Sequence, residues 1–215
     1  LVDKRNSQEF IDYAKDHIIK MYGDSDLIKD NADYCRLINK EHSKRLNIIL
    51  SESLKLGDSL EFGGEYSQED CFMSPTIIRS EFNSPIMDEE IFGPILPIIE
   101  YDNFDKAIYK INQIDSPLAA YIFSNKKINI DQFIKDTQSG GVCINDISLH
   151  LIHERLPFGG IGKSGIGKYH GKFGFDELSH LRPIIKNIEN SPLKMLHPPY
   201  TRKVQKIVRF LKKII

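Results

Sequence analysis

The sequence is short of cysteine, has no long apolar run, and carries no acidic residue beyond Glu189. Each shortage narrows what the chain can be. Cys35, Cys71 and Cys143 are odd in number and widely spaced, so a disulfide framework or metal knuckle is not expected and a reducing, cytoplasmic setting is. No uninterrupted apolar stretch approaches the ~18 residues that would span a bilayer. The opening Leu1-Val2-Asp3-Lys4-Arg5 has neither an initiator Met nor an apolar signal core, which predicts an unsecreted chain that is part of a longer product. The 29 basic and 30 acidic residues nearly cancel at a net charge of -1, excluding a globally basic nucleic-acid coat. That balance is not local. Lys194, Arg202, Lys203, Lys206, Arg209, Lys212 and Lys213 follow the last acid, so residues 1–189 are strongly acidic and the tail is basic.

What is present is a globular chain. Its 215 residues, 40% of them apolar, can bury a real core and correspond to about one and a half ordinary domains. Val2-Asp3 reads as the end of a strand, and Ser7 as the cap of a helix through Met21, with Phe10, Ile11, Ala14, Ile18 and Ile19 at helical spacing. A second helix is predicted from Lys40 to Leu54, with Leu46, Ile49 and Leu50 inward and Gly57 ending it. Gly63-Gly64 reads as a turn and Phe72–Ile78 as an extended apolar run. From residue 95 the pattern alternates: strand 95–101, a helix capped by Asn103, strand 118–123, helix 129–137, strand 140–145. Strands and helices alternating in this way predict an α/β layer, a mostly parallel sheet with helices on both faces. Glu177–Ile188, with Leu181, Ile184, Ile185 and Ile188, reads as a late strand, and Pro192, Pro198 and Pro199 as an extended connection. An amphipathic helix closes the chain, with Val204, Ile207, Val208, Leu211, Ile214 and Ile215 on its apolar stripe.

Several segments could carry chemistry. Gly162-Lys163-Ser164 has the ending of a phosphate-binding loop, but the motif's first glycine would fall on Pro157. Gly160 to Gly165 spells G-x-G-x-x-G without the strand before it or the helix after it that would aim amides at a pyrophosphate. A loop needing positive φ and close backbone approach is the better reading. His150, His153 and His170 lack the spacing of a helical metal-ligand pair, and His170 beside Tyr169 reads as a polar group in a cleft wall. Cys143 lies in an apolar strand with no basic neighbour visible in the sequence, which predicts an inert buried thiol. Glu90 stands in an acidic turn next to Phe92 and a Gly-Pro, just before a strand. A ligand-holding turn at a sheet edge and a solvated turn fit that pattern equally.

On these residues the sequence resembles the aldehyde dehydrogenases, nearest to their class 3 and fatty aldehyde branch. The resemblance is carried by EEIFGPILPII (89–99), PLAAYIFS (117–124), SGGVCIND (139–146) and LPFGGIGKSGIGKYHGKFGFDELSH (156–180), in order and in spacing. Two small departures are Cys35, where relatives usually have Gly, and Lys172-Phe173-Gly174-Phe175 in place of Lys-x-Ser-Phe. The resemblance implies that Glu90 binds the nicotinamide ribose hydroxyls of NAD or NADP and that Phe92 packs by the nicotinamide ring. It likewise implies that Leu151, Ile152, Phe158 and His170 line an aldehyde tunnel, whose apolar wall suits a hydrophobic aldehyde. In this family a cysteine thiolate attacks the aldehyde, hydride leaves to NAD(P), and a glutamate activates the water that hydrolyses the thioester. By alignment with the family those groups fall N-terminal of Leu1, so no catalytic residue is assigned here.

The organisation implied is residues 1–176 as the C-terminal part of the catalytic domain, 177–200 as an oligomerisation strand with its connection, and 201–215 as a basic tail helix. Two functional classes follow. One is the C-terminal half of a homodimeric NAD(P)-dependent aldehyde dehydrogenase, inactive without its N-terminal half. The other is a non-catalytic remnant or structural partner subunit with a membrane-surface tail. A membrane or nucleic-acid binding module rests on the tail alone, and an acyl-phosphate reductase of the same architecture is disfavoured by the Glu-Ile-Phe-Gly-Pro match.

Overall fold

The computed structural model describes residues 1–189, 191, 194 and 197–213. Its centre is a three-stranded sheet of β2 (Ser59–Phe62), β5 (Thr76–Arg79) and β6 (Ile95–Ile98). Strand β5 runs antiparallel to β2 and parallel to β6, with Thr76 opposite Ile95 and Arg79 opposite Ile98. Successive side chains of a strand leave opposite faces, and β5 uses both. Ile78 packs with Leu46, Ile49, Leu50, Met73, Ile86 and Ile95, whereas Ile77 packs with Ile11 and Ile98. Each face is covered by one helix, α1 (Ser7–Tyr22) and α3 (Lys40–Lys55), with the single turn α2 (Ser25–Ile28) between them in sequence. Burying Leu46, Ile49 and Leu50 contributes about 1.5–3 kcal/mol each, which is what fixes α3 on the sheet.

Shorter pairings surround this core. Strand β1 (Val2–Asp3) runs parallel to β7 (Glu100–Tyr101), and β3 (Tyr66–Ser67) pairs antiparallel with β4 (Phe72–Met73). Farther along, β8 (Ala119–Ile122) and β9 (Gly141–Ile144) form a parallel pair. Ile122 packs against Ile108 of α4 (Phe104–Ile111) and Phe133 of α5 (Lys127–Asp136). Asparagine caps set two helix starts: Asn39 Oδ1 accepts the His42 N–H at 2.8 Å, and Asn103 Oδ1 the Lys106 N–H at 3.0 Å. The last elements are α6 (Leu149–Ile152), α7 (Gly171–Glu177) and α8 (Arg202–Leu211).

The α/β class and its parallel strands follow the sequence reading, but four details differ. The strands from residue 95 onward divide among three sheets, because β6 pairs with β5, β7 with β1, and β8 and β9 with each other. Ser7 does not cap α1. It lies within the first turn, where its Oγ accepts from Arg79 Nη1 at 2.9 Å. Glu177 ends α7 instead of opening a strand, and the residues from Ser179 to Ile188 have no strand partner among the described residues. A strand exists only against a neighbour, so Leu181, Ile184, Ile185 and Ile188 stay exposed. Helix α8 forms as read, its N-terminus capped by Thr201 and Val204, Ile207 and Val208 half-buried. Ile214, Ile215 and Pro192 lie outside the described residues. Among the described residues no helix is long and apolar enough to cross a membrane.

Candidate functional site

The turn that holds Glu90 and Phe92 is built by helix α3, not by its own strand. Arg45 reaches it with three donations: to Glu89 Oε1 at 2.6 Å, the Glu90 carbonyl at 3.4 Å and the Ile91 carbonyl at 2.5 Å. His42, three residues earlier on the same helix, donates from Nε2 to the Phe92 carbonyl at 2.8 Å. Gly93 closes the clamp: a Cβ there would stand 2.3 Å from Leu46 Cδ1, so any larger residue would require the buried Leu46 side chain to move. Phe92 is left in a left-handed conformation, φ +51°, with 77% of its surface exposed. Glu90 is exposed, and its carboxylate has no hydrogen-bond or ion-pair partner among the described residues. Anchoring the backbone while freeing one carboxylate and one aromatic ring is what a ligand-holding turn requires. The two oxygens of Glu90 can accept from a vicinal diol, and the Phe92 ring offers an apolar face beside them. An open cleft of about 530 Å³ runs beside the turn, lined by Lys44, Arg45, Ile48, Glu52 and Glu89 among others.

A second group of functional candidates forms around Phe158. Phe158 and Tyr169 exchange backbone hydrogen bonds of 3.0 and 2.8 Å, an isolated antiparallel bridge. That bridge brings the Phe158 and His170 rings into a stack with centroids 5.9 Å apart. His150 approaches Phe158 from another side at 5.6 Å and touches Tyr121 edge-on at 5.9 Å. Nε2 of His150 and Nδ1 of His170 are buried with no hydrogen-bond partner. Leu151 and Ile152, also on α6, are exposed at the rim. The structure thus joins Phe158 to His170 and places Leu151 and Ile152 next to His150. No hydrogen bond, ion pair or ring contact among the described residues links this group to the Glu90–Phe92 turn.

One expectation for Cys143 fails here. Its thiol is buried as read, 7% exposed, but it does have a basic neighbour: His150 Nδ1 lies 3.1 Å from Cys143 Sγ. The local pattern hid this because α6 folds back over β9, and Gly141 admits the imidazole where a Cβ would lie 2.6 Å from it. Among the described residues no group of three or more His, Cys, Asp or Glu is placed to hold a metal. The G-x-G-x-x-G stretch is a structural loop. Gly162 and Gly165 adopt φ of +63° and +153°, and a Cβ on Gly160 would lie 2.2 Å from the Ser164 carbonyl. Lys163, at the tip of this loop, pairs with Asp115 at 2.8 Å, and that bond raises its ammonium pKa above the ordinary lysine value. Sequence reasoning missed Arg45, His42 and Lys168. Arg45 and His42 carried only one faint signal, an i, i+3 spacing on one helix face.

The sequence profile of the aldehyde dehydrogenase family matches residues 1–184. Aldehyde dehydrogenase family 3 member A2 of Rattus norvegicus is 40% identical over 202 residues, covering 93% of this chain and 40% of that protein. The dimeric NADP-preferring aldehyde dehydrogenase of Mus musculus is 39% identical over 207 residues, covering 95% of this chain and 44% of that protein. Among solved structures, the substrate-bound state of Staphylococcus aureus AldH superposes with a TM-score of 0.85 at 35% identity, covering 98% of this chain and 45% of that one. This chain therefore spans less than half the length of these relatives. With the motifs in order, the profile covering most of the chain and the backbone superposing along nearly all of it, the chain belongs to the aldehyde dehydrogenase family.

Proposed function

We propose that this chain acts as the C-terminal part of an NAD(P)-dependent aldehyde dehydrogenase that oxidises hydrophobic aldehydes to carboxylates. The clamped turn carries the reading. Glu90 holds the ribose diol of NAD or NADP, and Phe92 packs against the nicotinamide, whose bound form supplies the hydride acceptor. Phe158, Leu151 and Ile152 desolvate the alkyl or aryl group, and His170 stacks on Phe158 to complete that wall. The thiolate and general base come from the N-terminal part of the enzyme, so the chain alone is inactive. The same reading makes the enzyme a cytoplasmic homodimer, with the apolar segment from Leu181 to Ile188 adding a strand to a second copy. It also gives the basic tail a peripheral contact with anionic membrane surfaces.

The test is NAD(P)H production by the purified 215-residue chain with hexanal or benzaldehyde, alone and after co-expression with an N-terminal part from a relative. Activity only in the second case is expected. Robust turnover by the chain alone that disappears with Cys143→Ala would overturn the assignment, because the Cys143–His150 pair would then be the nucleophile and its base.

A further inference from the structure

Lys168 lies where three glycine-lined stretches of backbone meet. Its ammonium donates to the Gly140 carbonyl at 3.0 Å and to the Gly159 carbonyl at 2.6 Å, residues 28 and 9 positions away in sequence. The approach is too close for side chains. A Cβ on Gly140 would stand 2.3 Å from the Gly159 oxygen and 2.5 Å from the Leu118 oxygen, and one on Gly159 would stand 2.1 Å from the Gly167 oxygen. Two carbonyl oxygens thus face one ammonium, and among the described residues no backbone N–H donates to Gly140 or Gly159 in its place. An ammonium has three donors, no acceptor and a full positive charge, which is the chemistry that satisfies such a pair. Lys168 is half-buried and forms no ion pair with a carboxylate among the described residues.

The positions of these contacts in the chain give them a consequence. Gly159 directly follows Phe158, and Lys168 directly precedes Tyr169, so the ammonium ties together the two strands of the Phe158–Tyr169 bridge beside its own hydrogen bonds. His170, next along, takes its place on the Phe158 ring from that bridge, with a backbone φ of +88° that an untethered loop would not favour. The Gly140 contact fixes the same unit to the start of β9.

We propose that Lys168 is a positioning residue for the aldehyde-facing wall: its ammonium, seated on the Gly140 and Gly159 carbonyls, sets where Phe158 and His170 stand. It touches no reacting atom and acts through those two residues, and its role in catalysis rests on the reading of that wall given above. In a complete enzyme containing this chain, Lys168→Met and Lys168→Gln should both speed amide exchange at Phe158 and Tyr169. They should raise KM for a long-chain aldehyde about tenfold, the size of one lost charge-assisted hydrogen bond, and raise KM for acetaldehyde much less. Lys168→Arg, which keeps the charge and the donors, should recover part of both. Unchanged exchange at Phe158 and Tyr169 in the two neutral variants would overturn the staple, whatever the activity. Faster exchange with an unaltered preference between long and short aldehydes would overturn the role at the wall. Failure of both neutral variants to fold would make Lys168 a residue of global stability and would also overturn it. An enzyme without aldehyde activity would sink the functional reading alone, since exchange is read without turnover.

Discussion

Arg45 shows how much of a turn can depend on a residue that is not in it. One guanidinium binds a carboxylate and two carbonyls over a span of three residues, and His42 secures the fourth. Planar, multidentate donation is something lysine cannot reproduce. Two substitutions therefore belong together. In the complete enzyme, Glu90→Gln should lower kcat or slow cofactor release more than it weakens aldehyde binding, because the ring that receives hydride is no longer held, and a displacement of about 1 Å can cost roughly a hundredfold. Arg45→Leu should give the same kinetic signature with Glu90 intact. Steady-state and single-turnover kinetics would check this: a raised aldehyde KM with unchanged kcat in both variants would count against a cofactor-positioning turn.

Helix α8 is the element whose role its own chain leaves most open. Val204, Ile207 and Val208 are only half-buried, none of the helix is fully buried, and its charged side chains are all basic. An apolar stripe flanked by bases suits an anionic lipid surface, where each base contributes on the order of 1 kcal/mol until salt screens it. The full chain should co-sediment with phosphatidylserine-containing vesicles at low salt, and a chain ending at Tyr200 should not. Equal pelleting of both, or of neither, would assign α8 to a protein surface. The segment before it illustrates a limit of pattern reading at this scale. The apolar residues from Leu181 to Ile188 predict a strand, and the residues themselves permit one. Pairing was the missing ingredient, and no local pattern supplies it.

Across the whole molecule, what was legible in the sequence is what short range decides. Asn39 and Asn103 announce helix starts because their side chains cap amides three residues on. Ile77 and Ile78 announce a strand buried on both faces because side-chain direction alternates. The family motifs were legible for a different reason, as a resemblance, and they named Glu90, Phe92, Phe158 and His170 without showing what holds them. The supports were not legible. Arg45 acts across 44 to 46 positions, Lys168 across 28, and His150 meets Cys143 only because a glycine clears its path. Strand order, which splits β6 from β8 and β9, is likewise set by which strands meet in space. The exposed run from Leu181, at 83% accessible, to Ile188 has one more consequence, for the life of the protein in a cell. Amides with no strand partner among the described residues, flanked by bare aliphatic side chains, are what proteases and chaperones bind, so the half-life of this polypeptide should depend on how much assembly partner is made alongside it. Pulse–chase measurement with and without a co-expressed N-terminal part would show this. A decay rate indifferent to the partner would mean that the run is already covered within the chain that cells contain.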